Sequence, residues 1–343
     1  MSYIDFTKMG KFGIIHLNRP TALNSLNLSM IRQIDDALSQ VLDDNSLIGV
    51  IFTGEGKAFC AGGDVKAAYK AGLDFKSGKT TESEALQFFE EEYALNKRIV
   101  HFPKMTVAVM DGITMGGGVG LAGPCHHRIC TENTVWAMPE TTIGFFPDIG
   151  GAWYLAHAGD AIGMYLGLTA LSVKNPRDLL EYGFATNCIL HADIDSFLTQ
   201  LEGVSSEKGA LRHIEDMSKS FSGEGGLQSL SSKINDAFTK ESVSEIMSFL
   251  KEDGGTWSTE TLQLLEQKSP ISLLTAFAHI KQAGKESLDE TLHRDHELAK
   301  IFMEGNDYYE GVRALLIDKD KTPRWQSYDL EKGLPPEINA LFL

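Results

Sequence analysis

Two kinds of chemical group occur close together between Met110 and Gly151. The run Gly116-Gly117-Gly118 follows an apolar segment, and a strand that turns through glycines into a helix leaves backbone N–H groups without partners. Such donors can hold the oxyanion of a reacting carbonyl group. Further along the chain are Glu140 and Asp148, where burial is expected to raise the pKa of each carboxyl. Their apolar neighbours are Trp136, Met138, Phe145 and Phe146. Oxyanion donors followed by two carboxylates predict a catalytic site.

The segments that must position these groups alternate between strand and helix patterns. Phe12–Leu17 and Leu47–Thr53 are short apolar runs that predict strands, and Met105–Met110 predicts another. Asn27 is expected to cap a helix over Leu28–Leu42, whose apolar residues recur at helical spacing. Strand, helix and strand in succession favour a parallel sheet with right-handed crossovers.

Two further segments bear on the site. Lys57–Asp64 has the sequence KAFCAGGD, and its small residues predict a loop that leads into a helix. Glu82–Phe102 predicts a long amphipathic helix that carries the run Glu90-Glu91-Glu92. A charge run of this kind is most often a solvated helix face, so a functional role for Glu92 needs other support.

The pattern changes near Asp193, because almost every later segment has helical periodicity. We therefore predict an α/β core over residues 1–192 and a helical C-terminal region over residues 193–343.

The charge balance limits the classes of partner. The 343 residues include 31 Lys and Arg against 47 Asp and Glu, a net charge of −16, and no basic block offsets it. This argues against nucleic acid and against an anionic membrane surface as partners. No apolar run reaches about 18 residues, and the first residues show no signal pattern. The sequence predicts a soluble, cytoplasmic protein.

The four cysteines are Cys60, Cys125, Cys130 and Cys188. They lie scattered in hydrophobic segments and form no metal-ligand spacing with the histidines, so we predict buried free thiols in a reducing compartment and no metal site.

Four stretches carry a resemblance to a known family. They are LNRPTALNSL (Leu17–Leu26), GKAFCAGGD (Gly56–Asp64), DGITMGGGVGL (Asp111–Leu121) and MPETTIGFFPDIGG (Met138–Gly151). Together they resemble the crotonase (enoyl-CoA hydratase/isomerase) superfamily, and the similarity extends over essentially the whole chain. It implies an α/β fold, a crotonase-like spiral of ββα units with a helical C-terminal lobe, that binds acyl-CoA thioesters. CoA is part of that substrate, so no separate cofactor is implied.

The resemblance also implies roles for particular residues. The backbone N–H groups of Gly63 and Gly117 match the two donors that bind the thioester oxygen. Glu92, Glu140 and Asp148 match acidic positions that contact the substrate in hydrolases of the family. Catalysis is thereby assigned to Glu140 and Asp148 with the two glycines, and substrate binding to Glu92, Gly117, Glu140 and Asp148. Members often form trimers, which leaves a homo-oligomer open.

Two stretches, FFEEEYALN (Phe88–Asn96) and EGVRALLIDKDKTPRW (Glu310–Trp325), are similar to hydrolases of the family and not to its short hydratases. They imply hydrolysis of the thioester of 3-hydroxyisobutyryl-CoA, and of similar short 3-hydroxyacyl-CoAs, to the free acid and CoA in valine breakdown.

Two alternatives remain open. The first is an enoyl-CoA hydratase or dienoyl-CoA isomerase on the same scaffold. Gly120 stands where a hydratase has its second glutamate, which argues against hydration, whereas Asp148 also matches dienoyl-CoA isomerases. The second is a non-catalytic assembly protein that retains the fold. The presence of Gly63, Gly117, Glu140 and Asp148 argues against it.

Overall fold

The structure is a computed structural model that describes residues 3–159, 161–220 and 225–343. These residues divide into two units, each assembled from three separate stretches of the chain. The first unit comprises Met1–Asp64, Ala94–Trp136 and Val173–Gly226, and the second comprises Val65–Tyr93, Ala137–Ser172 and Leu227–Leu343. The predicted division of the chain after residue 192 stays a prediction.

The strands of the described residues, in chain order, are β1 (Ile4–Met9), β2 (Phe12–Leu17), β3 (Gly49–Gly54), β4 (Ala58–Cys60), β5 (Met105–Met110), β6 (Ile113–Met115), β7 (His127–Cys130), β8 (Val135–Ala137) and β9 (Asn187–Cys188). The main sheet has the order β1-β2-β3-β5-β7-β9, and a smaller sheet has the order β4-β6-β8. β1 pairs antiparallel with β2, and the later strands of the main sheet run parallel. The predicted parallel sheet is therefore confirmed, with one antiparallel edge strand added.

The helices are α1 (Leu28–Asp43), α2 (Val65–Lys76), α3 (Glu84–Val100), α4 (Gly117–Ala122), α5 (Gly151–Ala156), α6 (Ile162–Thr169), α7 (Pro176–Glu181), α8 (Ile194–Glu202), α9 (Glu207–Met217), α10 (Gly226–Phe238), α11 (Val243–Asp253), α12 (Thr256–Glu266), α13 (Pro270–Ala283), α14 (Leu288–Glu304), α15 (Asp307–Val312) and α16 (Pro336–Asn339). Short 3-10 helices cover Pro20–Ala22, Glu140–Ile143, His191–Asp193, Leu330–Lys332 and Ala340–Phe342, and a π-helical turn covers Arg313–Ile317. In the part of the chain that the structure describes, no helix has the length and apolarity needed to cross a membrane.

The long periodic segments form as predicted. β2 and β5 have the predicted bounds, and α1 begins at Asn27, whose side chain accepts a hydrogen bond from the Met30 N–H at 2.9 Å. The loop predicted over Lys57–Asp64 is wrong in part, because Ala58–Cys60 forms β4. The glycine run is also preceded by β6 and not directly by β5. Strands of three residues are too short to show a periodicity in the sequence.

The core of the first unit lies on one face of the main sheet. Alternate residues of the strands, such as Val107 and Val109 of β5, point to this face, where α8 and α9 cover them with Phe197 and Ile214. Both faces of the parallel strands are buried, which explains their continuous apolar sequences. All four cysteines are buried free thiols, as predicted.

Candidate active site

The first unit holds the glycine run, at the start of α4. Gly116 precedes the helix with φ 48°, a left-handed conformation that suits glycine. Its carbonyl oxygen accepts from the Val119 N–H at 2.7 Å and from the Gly120 N–H at 3.1 Å. Gly117 is the first residue of the helix, so its N–H has no acceptor within the helix. The turn therefore presents the Gly117 N–H as a donor.

Gly63 belongs to a neighbouring segment of the same unit. It forms a parallel bridge with Leu26, in which the Leu26 N–H donates to Gly62 and the Asp64 N–H donates to Leu26. In this pattern the N–H of the middle residue, Gly63, points away from the bridge. A Cβ placed on Gly62 would lie 3.7 Å from the Gly117 nitrogen, so the two glycine segments adjoin. The first unit thus brings together both predicted oxyanion donors.

Close packing explains why the next residue of the run, Gly118, is a glycine. A Cβ on Gly118 would lie 2.1 Å from the carbonyl oxygen of Cys60 in β4. A side chain at this position would force α4 away from the small sheet and would displace the Gly117 N–H.

The second unit holds the predicted carboxylates, beginning with Glu92 on α3. Its neighbour Glu90 is exposed, whereas Glu92 is only 2% exposed. The interpretation of the acidic run as a solvated face is therefore wrong for Glu92. Among the described residues its Oε1 has no hydrogen-bond partner. Burial, followed by the charge of Asp148, raises the pKa of Glu92 well above its usual value.

Glu140 is the first residue of the 3-10 helix that follows Pro139. Its side chain is buried, and its Oε2 has no hydrogen-bond partner in the described part of the chain. Burial raises the pKa of Glu140 well above its usual value, and the charge of Asp148 adds to the rise. A helix start favours an ionised carboxylate, but the position of Glu140 at the start of its 3-10 helix does not offset these two effects on its pKa. Glu140 is thus a buried acid with one oxygen available for a ligand.

Asp148 is buried too, and Tyr93 holds it. The Tyr93 hydroxyl donates to Asp148 Oδ2 at 2.7 Å. Burial and then the charge of Asp295 raise the pKa of Asp148 to about 7, although the bond from Tyr93 opposes the rise. Asp148 does not cap the following helix, because Gly150 occupies the cap position of α5 and the cap has no side-chain hydrogen bond.

Aromatic rings supply the apolar surroundings that the sequence predicts. Phe145 stacks on Phe146 with ring centroids 4.5 Å apart and on Phe89 at 5.4 Å. Met138 lies in the same unit as the carboxylates. It packs directly against Gly151 and fills the space that a Cβ of this residue would need. Trp136 belongs to the first unit, where it stacks on Phe184 at 3.9 Å.

Three residues around this cluster in the second unit were not predicted from the sequence, namely Tyr93, His279 and Asp295. Tyr93 holds Asp148, and Asp295 bonds both the Gly150 N–H at 2.7 Å and His279 Nε2 at 2.5 Å. A signal for Asp295 exists, since helical spacing sets it on the apolar face of α14 with Leu292, Leu298, Ala299 and Phe302. A charged residue on an apolar face is costly unless it is paired or functional.

Carboxyls with raised pKa values in one apolar cluster can exchange protons near neutral pH and act as general acids or bases. A group of three or more His, Cys, Asp or Glu side chains suited to a metal ion is not found within residues 3–159, 161–220 and 225–343.

Several basic residues could bind the phosphates of CoA, and their surroundings differ. Arg19 is paired with Asp64 at 2.8 Å, so its charge is engaged. Lys57, Lys66 and the basic turn Lys319–Arg324 are exposed, except that Pro323 is half-buried.

Comparisons with known proteins agree with the sequence motifs. A family model described as enoyl-CoA hydratase/isomerase matches residues 12–342. A curated relative from Xenopus laevis, named 3-hydroxyisobutyryl-CoA hydrolase, mitochondrial, is 41% identical over 98% of this chain and 87% of its own length. A solved carnitinyl-CoA dehydratase from Mycobacterium thermoresistibile has a TM-score of 0.90 and 31% identity, covering 100% of this chain and 97% of its own. A solved enoyl-CoA hydratase from Rhodobacter sphaeroides 2.4.1 has a TM-score of 0.88 and 34% identity, covering 99% and 97%.

These matches confirm the predicted family resemblance and the crotonase-like fold. They contradict the predicted cytoplasmic location, because the curated relatives are named mitochondrial. The prediction was wrong because it depended on the lack of a recognisable signal in the sequence, and such a lack does not determine the compartment.

Proposed function

The chain belongs to the enoyl-CoA hydratase/isomerase family, and from this premise we propose that it hydrolyses the thioester of 3-hydroxyisobutyryl-CoA to 3-hydroxyisobutyrate and free CoA. The observation that carries the proposal is the buried carboxylate cluster, in which one oxygen of Glu140 has no partner among the described residues and the charge of Asp148 lies nearby. The curated relatives support the choice of substrate through their name.

In the proposed reaction the N–H groups of Gly63 and Gly117 bind the thioester oxygen. Charge develops on this oxygen when the carbonyl carbon becomes tetrahedral, and each donor of this type contributes about 10²–10³ in rate. The N–H at the start of α4, which has no acceptor within that helix, and the outward N–H of Gly63 support this assignment.

Glu140 supplies the step that breaks the thioester bond. It either attacks the carbonyl carbon to form an anhydride or removes a proton from the attacking water, and both routes use the ionised carboxylate. A raised pKa makes that carboxylate a stronger base, and general-base assistance typically contributes about 10²–10⁴ in rate. In the first route water then hydrolyses the anhydride, which releases the free acid and restores the Glu140 carboxylate. In either route a proton of the water passes to the leaving CoA thiolate, and the proposed reaction uses no metal or separate cofactor.

Asp148 binds the 3-hydroxyl of the acyl group, and Glu92 supports the same polar network. The Tyr93 hydroxyl donates to Oδ2 of Asp148, and in the proposed complex the substrate hydroxyl donates to the other oxygen, Oδ1. Specificity for 3-hydroxyacyl groups follows, since a buried group that loses its hydrogen-bond partner is destabilised.

Hydration of a double bond is the main competing reaction, and the two similar solved structures are named as a dehydratase and a hydratase. Position 120 favours hydrolysis, because Gly120 is buried in α4 and offers no side chain where a hydratase has its second glutamate.

The deciding experiment measures thiol release and double-bond hydration on the same purified protein. We expect release of CoA from 3-hydroxyisobutyryl-CoA, unchanged by a chelator, and little or no hydration of crotonyl-CoA. Rapid hydration without thiol release would refute the hydrolase assignment, and neither reaction would favour a non-catalytic protein.

The same relatives favour a place in valine breakdown and a mitochondrial compartment for this chain. Cell fractionation with a mitochondrial marker enzyme tests the compartment.

A further inference from the structure

The turn that follows Asp148 has an unusual backbone. Ile149 has φ 54° and Gly150 has φ 74°, both in the left-handed region. Glycine adopts this conformation readily, but a β-branched residue such as Ile149 rarely does. Strain of this kind persists only when the surrounding structure holds it in place.

Asp295 on α14 is the group that holds this turn. Its Oδ2 accepts from the Gly150 N–H at 2.7 Å, and the Gly151 N–H closes the turn on the carbonyl oxygen of Asp148 at 2.6 Å. The other oxygen of Asp295 lies 2.5 Å from Nε2 of His279 on α13, and both side chains are fully buried. Three elements of the second unit therefore meet at one carboxylate.

Asp295 also acts on the cluster through its charge. It contributes to the raised pKa values of Asp148, Glu140 and Tyr93, in each case after burial. The titratable groups that face Asp148 are Tyr93 and Glu92 from α3, Glu140 from its 3-10 helix, and Asp295. Of these, Asp295 is the one that no step of the proposed reaction uses.

We propose that Asp295, oriented by His279, is a positioning residue that holds the strained turn after Asp148 and sets the pH range of turnover through its charge. This inference rests on the proposed hydrolysis. Asp295 contacts no reacting atom in this scheme and acts through Asp148.

Two substitutions separate position from charge. Asp295→Asn keeps an oxygen for the Gly150 N–H and removes the charge. His279 can accommodate the new amide by changing tautomer, because its Nδ1 has no partner among the described residues. Asp295→Glu keeps the charge and moves the carboxylate by one methylene.

The midpoint in the pH profile of turnover that belongs to Asp148 is the one that is absent in Asp148→Asn. In Asp295→Asn we expect this midpoint to fall by roughly one pH unit, the size typical of a nearby like charge. The direction is the same whether turnover needs the ionised or the protonated Asp148, because loss of the Asp295 charge lowers the pKa of Asp148. For Asp295→Glu we expect an unchanged midpoint and a kcat at least about tenfold lower, because misplacement of about 1 Å can reduce rates up to 10²-fold.

Glu297→Gln is the matched control, since it removes one charge from the same helix at a half-buried surface position paired with Lys300. Its pH profile should equal that of the unmodified protein. An unchanged midpoint in Asp295→Asn would overturn the charge role, and an unchanged kcat in Asp295→Glu would overturn the positioning role. If Asp295→Asn does not fold, the Asp295→Glu arm still tests positioning.

A direct titration separates this inference from the proposed hydrolysis. The carboxyl of Asp148 can be followed by ¹³C NMR of aspartate-labelled protein, assigned with Asp148→Asn, without any turnover. A lower midpoint in Asp295→Asn would support the charge role even in a protein that releases no thiol. An unmoved Asp148 signal would overturn it in an active enzyme.

Discussion

The glycine segments of the first unit and the carboxylate cluster of the second unit perform opposite electrostatic tasks by different means. Gly63 and Gly117 offer uncharged backbone donors, and their positions depend on local turns and on close contact between main chains. Glu92, Glu140 and Asp148 are ionisable groups whose proton affinity depends on burial and on nearby charges. Backbone donors are therefore robust to changes in neighbouring side chains, whereas the carboxylates respond to each substitution around them.

The first prediction concerns Glu140, the proposed base or nucleophile, because the glycine segments of the first unit contain no group of this kind. Glu140→Gln keeps the size of the side chain and removes the base or nucleophile. We expect kcat to fall by about 10²–10⁴ or more on every acyl-CoA tested, with a small change in KM.

Glu90→Gln is its control, since Glu90 is exposed on α3 near buried Glu92 and should keep full activity. Steady-state thiol release measures both variants. Substantial activity in Glu140→Gln would transfer the bond-breaking role to another carboxylate.

The second prediction removes a backbone donor. Gly117→Pro deletes one N–H at the first position of α4, where proline is tolerated in helices. The expected loss in kcat is about 10²–10³, smaller than that for Glu140→Gln, because the second donor at Gly63 remains. Circular dichroism and CoA binding serve as checks on folding. A folded variant with nearly normal turnover would mean that Gly117 does not bind the oxyanion.

The third prediction tests whether the carboxylates have distinct roles. Asp148→Asn should reduce kcat/KM for 3-hydroxyacyl substrates roughly 10- to 100-fold more than for their deoxy analogues, because the hydroxyl loses its charged partner. Paired hydroxy and deoxy thioesters, measured on the same preparation, give this ratio directly. Equal losses on both substrates would assign Asp148 to the orientation of water or of Glu140.

The fourth and smallest effect concerns stability. Because the folded protein raises the pKa of Asp148 from 3.8 to about 7, it holds this proton more tightly than the unfolded chain. The contribution of Asp148 to stability is therefore greatest below about pH 4 and is lost as pH rises through about 7. Asp148→Asn should remove this loss and therefore raise the Tm more at pH 8 than at pH 5, by roughly 1–2 °C for each kcal/mol in a chain of this length.

Asp236→Asn, at an exposed position on α10, is the control for this comparison. Thermal unfolding at the two pH values provides the measurement. A pH-independent difference between Asp148→Asn and the unmodified protein would show that burial does not retain the proton on Asp148.

Local patterns were sufficient for the elements with long periods and for the glycine turn before α4. The Asn27 cap, the apolar run of β5 and the glycines before α4 act over a few neighbouring residues, so the sequence displays their physical cause. The small sheet was missed because a three-residue strand such as β4 gains its stability from partners far away in the chain.

The sequence alone was enough to identify Glu140 and Asp148 as carboxylates in an apolar stretch and to select the family through its motifs. It left Glu92 between a solvated face and a site, because three successive glutamates look alike in a sequence. The fold resolved this by turning Glu92 inward and Glu90 outward on one helix.

Folding also brought Tyr93 and Asp295 to Asp148 from distant positions in the chain, and it buried the group in apolar surroundings. Residue types specify which groups can ionise. The pKa of each group depends on burial and on nearby charges, and these arise only when distant segments pack together.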